Sequence, residues 1–276
     1  MTNNLLPFPH RLAAPAIALC LSAASAGAAT PPYPAPLQAL EKHGLTIVGT
    51  FPSPGGLTAY AAYTGQTPVA LYMTPDGKHV IAGTLFDAAG QNLTSGALEQ
   101  VVGKRMADTV WGQLEKSTWI ADGRATAPRT VYVFTDPNCP YCNKLWSDAR
   151  PWVDAGKVQL RHVIVGILTP TSAGKAAALL NDKNPAAALD AYERGHAASN
   201  TKALASGQPR PLADDGLKPL SVVPPALQAR LDANAKLMES YGLQATPAVV
   251  WRDAKGGVQM RQGLPEGELT AILGPR

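Results

Sequence analysis

Cys139 and Cys142, three positions apart in the stretch Val131-Tyr-Val-Phe-Thr-Asp-Pro-Asn-Cys-Pro-Tyr-Cys-Asn-Lys-Leu-Trp146, are the residues best equipped for chemistry. On a helix that spacing puts both sulfurs on one face, within bonding reach of each other. The apolar, β-branched run Val131 to Phe134 reads as a buried strand, followed by the turn Asp136-Pro137-Asn138. Pro140 suits the first helical position, where a missing N–H costs nothing. Cys139 is thereby delivered to a helix N-terminus, whose unpaired N–H groups and dipole favour a thiolate. Cysteines so placed fall from ~8.5 to roughly 3.5–7.5 in pKa. A drop to ~5 raises the thiolate fraction at pH 7 about thirtyfold, while a Brønsted slope of ~0.4–0.5 removes a similar factor in nucleophilicity. Attack is hardly faster; what improves is Cys139 as a leaving group and the dithiol relative to the disulfide. Cys139 is expected to be the exposed attacker and Cys142 the resolving thiol that releases a mixed disulfide.

Other uses of the pair fit less well. A structural staple across so short a loop gains little closure entropy. Zinc needs four ligands, and there is no second cysteine pair or spaced histidine pair, so no metal is expected. Haem attachment needs His after the second cysteine, where Asn143 stands. Thiol redox chemistry requires no cofactor, and none is expected. Far downstream, Thr246-Pro247 opens a strand, a position where proline's missing N–H can face outward. A trans bond is commoner for X–Pro in general. With a CxxC pair in the same chain a cis bond is expected, exposing Thr246 backbone groups beside the sulfurs for a substrate strand to pair with. Thr246, Pro247, Pro140 and Tyr141 form the expected substrate-contacting set.

Residues 1–28 read as a secretory signal peptide: His10-Arg11, an apolar run from Leu12 to Ala24, and a small-residue exit through Ala26, Ala28 and Ala29. The run is too short for a permanent membrane anchor, and Cys20 inside it would be lost on cleavage. A lipoprotein role for Cys20 is disfavoured by the bulky Leu19 before it. The remaining chain holds two cysteines in a compartment where disulfides form, and spends both on the CxxC. Charged residues make up 16% of the 276-residue chain and the net charge is +4, with basic residues scattered rather than clustered. That pattern gives no nucleic-acid partner and no membrane-surface helix.

The elements that must position the pair follow in order. Residues 29–93 read as an N-terminal dimerisation domain. It has a proline-rich lead-in, a short helix at Leu37–His43, and strands at Leu45–Phe51, Leu57–Thr64, Thr67–Thr74 and His79–Phe86, with Pro75-Asp76-Gly77 as a hairpin turn. A sheet of ~60 residues is a marginal core, and an edge offered to a second copy would complete it. Residues 94–118 read as a linker helix capped at Thr94-Ser95, with Leu98, Val102, Met106, Val110 and Leu114 in one apolar stripe. The helix is read either as an ordinary packed one or as a spacer between two domains. Residues 119–276 read as a thioredoxin-like domain. Its CxxC helix ends near Ala149-Arg150-Pro151, a strand follows at Lys157–Val165, and a helical insertion occupies about 171–242, with helices at Ala173–Leu180 and Pro185–Tyr192 and a loop from Ser199 to Pro225. A helix through Leu227 to Tyr241, strands Ala248–Trp251 and Val258–Gln262, and a helix from Pro265 with Glu266 and Glu268 in its first turn complete it. The fold class is α+β.

FTDPNCPYC, ARPWVDAGKVQLR, NAKLMESYGLQATPA and GLPEGEL together resemble the DsbC/DsbG family of periplasmic thiol:disulfide interchange proteins. The resemblance covers the mature chain, strongest from Trp119 onward. It implies a V-shaped homodimer with disulfide isomerase or reductase activity on misoxidised periplasmic proteins. It also implies rescue of sulfenylated cysteines, some chaperone behaviour, and re-reduction by the membrane electron donor DsbD. Redox roles fall to Cys139 and Cys142, and substrate contact to Thr246 and Pro247. A thioredoxin-style buried acid six residues before the first cysteine is missing, since Val133 stands there; Asp136 is read as a turn cap. Two other functions remain open: a thiol oxidase of the DsbA kind, with the opposite resting redox state, and a holdase chaperone in which the redox pair is secondary.

Overall fold

The computed structural model describes Met1 and residues 33–64, 67–263 and 267–276; the signal-peptide reading, Cys20 included, lies outside them apart from Met1. Four antiparallel strands, β1 (Thr46–Phe51), β2 (Thr58–Thr64), β3 (Thr67–Met73) and β4 (Val80–Ala82), pair in chain order. Side-chain alternation gives this small sheet two buried faces. Leu71, Met73 and Ile47 lie with Leu37 of α1 (Ala35–Lys42), while Ala70, Tyr72, Phe51 and Ala59 lie with Val102 of α2 (Ser95–Lys116). The remainder of α2 belongs to a second core, through Val110 and Leu114.

The second sheet has the order β5-β7-β6-β8-β9, made of β5 (Trp119–Asp122), β6 (Arg129–Thr135), β7 (Val158–Ile164), β8 (Ala248–Arg252) and β9 (Val258–Gln262). Only β6 and β7 run parallel, because α3 (Pro140–Val153) carries the chain from one to the other. The central strand is buried on both faces, which is why it reads as an unbroken apolar run. Val131 and Val133 face Leu145, Ala149 and Trp152 of α3 and Ile272 of α7 (Leu269–Leu273). Tyr132 and Phe134 face Val110, Leu114, Met238 and Tyr241. Three helices, α4 (Ser172–Asn181), α5 (Pro185–Ala205) and α6 (Pro225–Ser240), intervene between β7 and β8 and bury Ile164, Leu179, Leu189, Leu227 and Leu231 together. The architecture is thus a thioredoxin-like α+β unit with a helical insertion, preceded by a small antiparallel sheet. Among the described residues no helix is long and apolar enough to cross a membrane.

Several elements depart from their sequence readings. The helix beginning at Pro185 runs on to Ala205 through the segment read as loop from Ser199. The Ser199 and Thr201 hydroxyls turn back onto carbonyls of the same helix, and buried Asn200 donates to the Pro140 carbonyl of the CxxC helix, a tertiary contact that holds this stretch helical. The CxxC helix continues past Pro151 because Trp152 and Val153 are buried beneath it, with Trp152 Nε1 donating to the Gly274 carbonyl. Thr94 does not cap α2 with its side chain. Asn92 Oδ1 accepts from the N–H groups of Thr94 and Ser95, while the Thr94 hydroxyl bonds Tyr72 and Leu85. The fourth strand stops at Ala82, and Phe86 instead bridges Asn92. Strand β5 had no reading; four residues pair with β7 at the sheet edge. The last helix begins at Leu269, and Pro265 and Glu266 lie outside the described residues.

Asn234 fastens the insertion to the sheet: its amide donates to the carbonyls of Thr118 and Ile164, and its Oδ1 accepts from the Thr118 N–H. It is buried, so truncation strands two carbonyls and one N–H. Asn234→Ala should destabilise the fold by about 2–4 kcal/mol in denaturant titration while leaving the CxxC thiols in place. A loss below about 0.5 kcal/mol would contradict that role.

Candidate redox site

One carboxylate organises the turn between β6 and α3. Asp136 is fully buried; its Oδ1 accepts from the Asn138 N–H and Ser172 Oγ at 2.8 Å each, and its Oδ2 from the N–H groups of Ile167 (2.7 Å) and Leu168 (3.0 Å). Its backbone carbonyl accepts from the Cys139 N–H at 3.0 Å. The turn is gripped from outside as well: Asn138 Nδ2 donates to Thr169 and Thr171, Tyr192 Oη donates to the Pro137 carbonyl, and the Leu212 N–H to the Asn138 carbonyl. Asp136 caps the turn, as read, and also ties in the loop after β7.

Cys139 is the N-cap of α3, with extended backbone (φ −79°, ψ 114°) and Pro140 in the first turn. Its Sγ occupies the place of a capping oxygen and accepts from the Cys142 N–H at 3.4 Å. The Thr246–Pro247 bond is cis, and Cys139 Sγ donates to the Thr246 carbonyl at 3.3 Å. The two cysteines are free thiols. Cys139 is not the exposed attacker expected from the sequence: only 2% of its surface is accessible, the same as Cys142. Long-range packing explains the difference, since the segment at Thr246 closes over a sulfur that helix position alone would leave open.

Beside the sulfurs lies a groove of about 550 Å³ whose walls include Tyr141, Lys144, Leu145, Thr246, Pro247 and Gln262. Gln262 Oε1 accepts from the N–H groups of Gln244 and Ala245, fixing the loop that leads to Pro247. The structure therefore brings Thr246, Pro247 and Tyr141 together around one cleft. Pro140 is not among its walls; its carbonyl accepts from Asn200 Nδ2 at 2.7 Å.

The two thiols behave oppositely. The Cys142 thiol beside Cys139 lowers it most; burial works against this, the Thr246 side chain and the N–H groups of Cys142 and Tyr141 assist, and the result is about 7. The Thr246 hydroxyl has no partner while Cys139 is a thiol, which leaves it available to the thiolate. Burial drives Cys142 well above the usual thiol value, and its hydrogen bond to Cys139 and the charge there push the same way. As the pH rises, the first proton to leave the pair is therefore that of Cys139.

Under α3 runs a second polar set that sequence reading missed. Arg150 bonds both oxygens of Asp122, His162 Nε2 lies 3.5 Å from Asp122 Oδ2, and His162 Nδ1 is 2.8 Å from Thr135 Oγ1. Burial alone would raise the Asp122 carboxyl, but hydrogen bonds from His162 and Arg150 and their charges prevail and hold it at about 2. A third set, equally unannounced, joins Asn143, Asn200 and buried Glu193 of the insertion. Nothing in the local sequence around Glu193 marks it; only its packing against α3 does.

A family model described as the disulfide bond isomerase protein N-terminal domain matches residues 23–95, and one described as a thioredoxin-like domain matches residues 120–274. The thiol:disulfide interchange protein DsbG of Pseudomonas aeruginosa is 46% identical over 269 residues, 97% of this chain and 99% of the relative. DsbG of Escherichia coli is 39% identical over 240 residues, 87% of this chain and 90% of the relative. Among solved structures, the catalytic domain of Proteus mirabilis ScsC aligns with a TM-score of 0.44 at 20% identity, covering 62% of this chain and 96% of that one.

Two outcomes follow. Thiolate absorbance of the reduced protein should titrate in one step with a midpoint at about 7, and a Cys139→Ser variant should lose that step. A step retained in that variant would assign the charge wrongly. Asp122 contributes stability that is complete above its ordinary value of 3.8 and is lost as the pH falls towards about 2. Asp122→Asn should cost about 2 kcal/mol at pH 7 and flatten the stability profile between those values. A variant whose acid unfolding parallels the parent would show the carboxylate contributes nothing.

Proposed function

Because the chain belongs to the DsbC/DsbG family of thiol:disulfide interchange proteins, and within it to the DsbG type, we propose that its chemistry runs through Cys139 and Cys142. The protein is a periplasmic disulfide isomerase and reductase that works as a homodimer on protein substrates. In our reading the Cys139 thiolate attacks one sulfur of a substrate disulfide, the S–S bond breaks, and its electron pair leaves with the other substrate sulfur. A mixed disulfide then links the substrate to Cys139. A substrate thiol attacking that bond gives isomerisation; Cys142 attacking Cys139 Sγ gives reduction and leaves the CxxC oxidised.

A single observation carries this reading: Cys139 Sγ sits on the first turn of α3, against the Thr246 carbonyl and next to a groove walled by Tyr141, Thr246 and Pro247. The carbonyl that accepts from the Cys139 thiol becomes free to accept a substrate N–H once that proton is gone. An extended segment with an apolar side chain beside its cysteine fits the groove, where Leu145 and Pro247 offer apolar surface. The same thiolate attacking a sulfenic acid forms an S–S bond as the S–O bond breaks, the hydroxide leaving as water with a proton from solvent, and gives the same mixed disulfide, so sulfenylated proteins are substrates as well. Reduced Cys139 and Cys142 must be regenerated by a donor on the membrane, of the DsbD kind. Export is assigned to residues 1–28, removed as a signal peptide.

Cys142→Ala should accumulate mixed disulfides with periplasmic proteins, resolved on non-reducing gels and absent from the Cys139→Ala, Cys142→Ala double variant. No trapped species under these conditions would refute the assignment of the two roles.

A further inference from the structure

The segment Gln244–Pro247 brings the Thr246 carbonyl to the sulfurs, and most of its backbone groups are already engaged. Gln262 Oε1 accepts from the Ala245 N–H at 2.8 Å and from the Gln244 N–H as well. The Pro247 carbonyl accepts from the Gly263 N–H at 2.8 Å, and proline has no N–H of its own. Among the described residues Thr246 therefore keeps the one N–H of the four that no group engages. The hold comes from the end of β9, the edge strand of the sheet, where Gln262 pairs opposite Ala248 and Gly263 follows.

A glutamine suits that place for a chemical reason. Its amide carries an oxygen with two lone pairs and a nitrogen with two N–H donors. Two backbone N–H groups converging on the amide require its oxygen to face them, which settles its orientation. The NH2 group is then turned away from Gln244 and Ala245, and it has no partner among the described residues. Gln262 is exposed and stands in the wall of the groove with Thr246 and Pro247. Two bonds to the loop hold a long side chain in one place before substrate arrives, so less ordering remains to be done on binding.

An extended segment laid in the groove brings N–H and carbonyl groups in nearly equal number, and each needs a partner once water is excluded. Thr246 can meet one substrate residue, with its N–H and with the carbonyl that the Cys139 thiol releases. Beyond that residue the loop has no backbone donor left: two are spent on Gln262, and Pro247 has none. On the wall formed by α3, the Lys144 ammonium is paired with Asp148 at 2.7 Å. On the wall formed by the loop and the end of β9, Gln262 is the polar side chain besides Thr246. The donors missing from the backbone are those that its amide holds out.

We propose that Gln262 is a binding and positioning residue for the protein substrate. Its NH2 group donates to a main-chain carbonyl of the extended segment that carries the substrate cysteine, while its oxygen fixes the loop that presents Thr246. This rests on the assignment of exchange chemistry to Cys139 and Cys142. Recognition at this end of the groove is then of backbone rather than side chain, so segments of differing sequence are accepted provided that they are extended.

Two variants of the full-length reduced protein separate the roles. Gln262→Glu keeps an oxygen for the two N–H groups and removes both donors, whereas Gln262→Ala removes oxygen and donors together. The side chain is exposed, so neither change empties a core. The probes are a peptide disulfide, followed by stopped-flow, and dithiodipyridine, which has no peptide backbone. With the peptide, Gln262→Glu should raise the half-saturating concentration at least about threefold, the loss of one neutral hydrogen bond, with the limiting rate kept. With dithiodipyridine both variants should react at the parental rate. The N–H groups of Gln244 and Ala245 should exchange with deuterium as slowly in Gln262→Glu as in the parent, and about threefold or more faster in Gln262→Ala. A parental half-saturating concentration in Gln262→Glu, or an equal loss of rate with dithiodipyridine, overturns the substrate contact. Unchanged exchange at Ala245 in Gln262→Ala overturns the positioning role. A parent protein that leaves the peptide disulfide intact defeats the assignment of Cys139 and Cys142 instead.

Discussion

The site depends on how one negative charge is carried by two buried sulfurs. Burial by itself would keep both cysteines as thiols, since desolvation opposes the charged form. Cys142 obeys that rule. Cys139 escapes it because its sulfur stands where a capping side chain stands, receiving the Cys142 N–H, and because the neighbouring thiol can donate to it. The first turn of a helix supplies these donors at no conformational cost, as their N–H groups have no helical partner. Chemical asymmetry between two identical residues therefore comes from a difference of three positions along one helix.

That arrangement is only as good as the turn that delivers Cys139, and the helical insertion is what secures it. Ser172, Thr169 and Thr171 bond Asp136 or Asn138, and Tyr192 and the Leu212 N–H bond the carbonyls between them. Lys175, wholly buried, gathers Tyr192 Oη and the Leu212 and Ala213 carbonyls about its ammonium. An uncompensated ammonium could not be buried so deeply. Asp214, half exposed, provides the opposing charge at 2.9 Å. The insertion is thus bound to the active-site turn by a continuous polar network, and its apolar side packs on Ile120 and Ile164 of the sheet.

What could be read from the sequence were features whose physics is local. The β-branched run at Val131 to Phe134, the proline in the first turn of α3, and Thr246-Pro247 at the head of β8 each declare themselves within a few residues. The helix stripe Val102, Val110 and Leu114 is likewise a matter of spacing. Features set by distant partners stayed hidden. Glu193 lies fifty positions from the Asn143 it holds, and nothing in its own helix distinguishes it from a solvated acid. The burial of Cys139 depends on a loop more than a hundred positions away. Strand β5 is four residues long and exists by pairing at an edge. The far end of α5 is rich in Ser, Asn and Thr, residues that favour loops unless tertiary contacts hold them.

The same charge distribution bears on the redox poise of the pair. A CxxC pair draws oxidising power from the stability of its thiolate: an attacking thiol near ~3.5 gains about 5 kcal/mol at pH 7 from ionisation. A thiol at about 7 gains only a few tenths of a kcal/mol at that pH. The difference lies in the direction of a disulfide that is harder to reduce than that of a pair with a strongly acidic thiol. The charge of Glu193 weighs against ionisation of Cys142, the resolving thiol. The insertion therefore fixes the geometry of the first turn through Asn200 and Glu193, and through Glu193 keeps Cys142 as the less acidic of the two thiols.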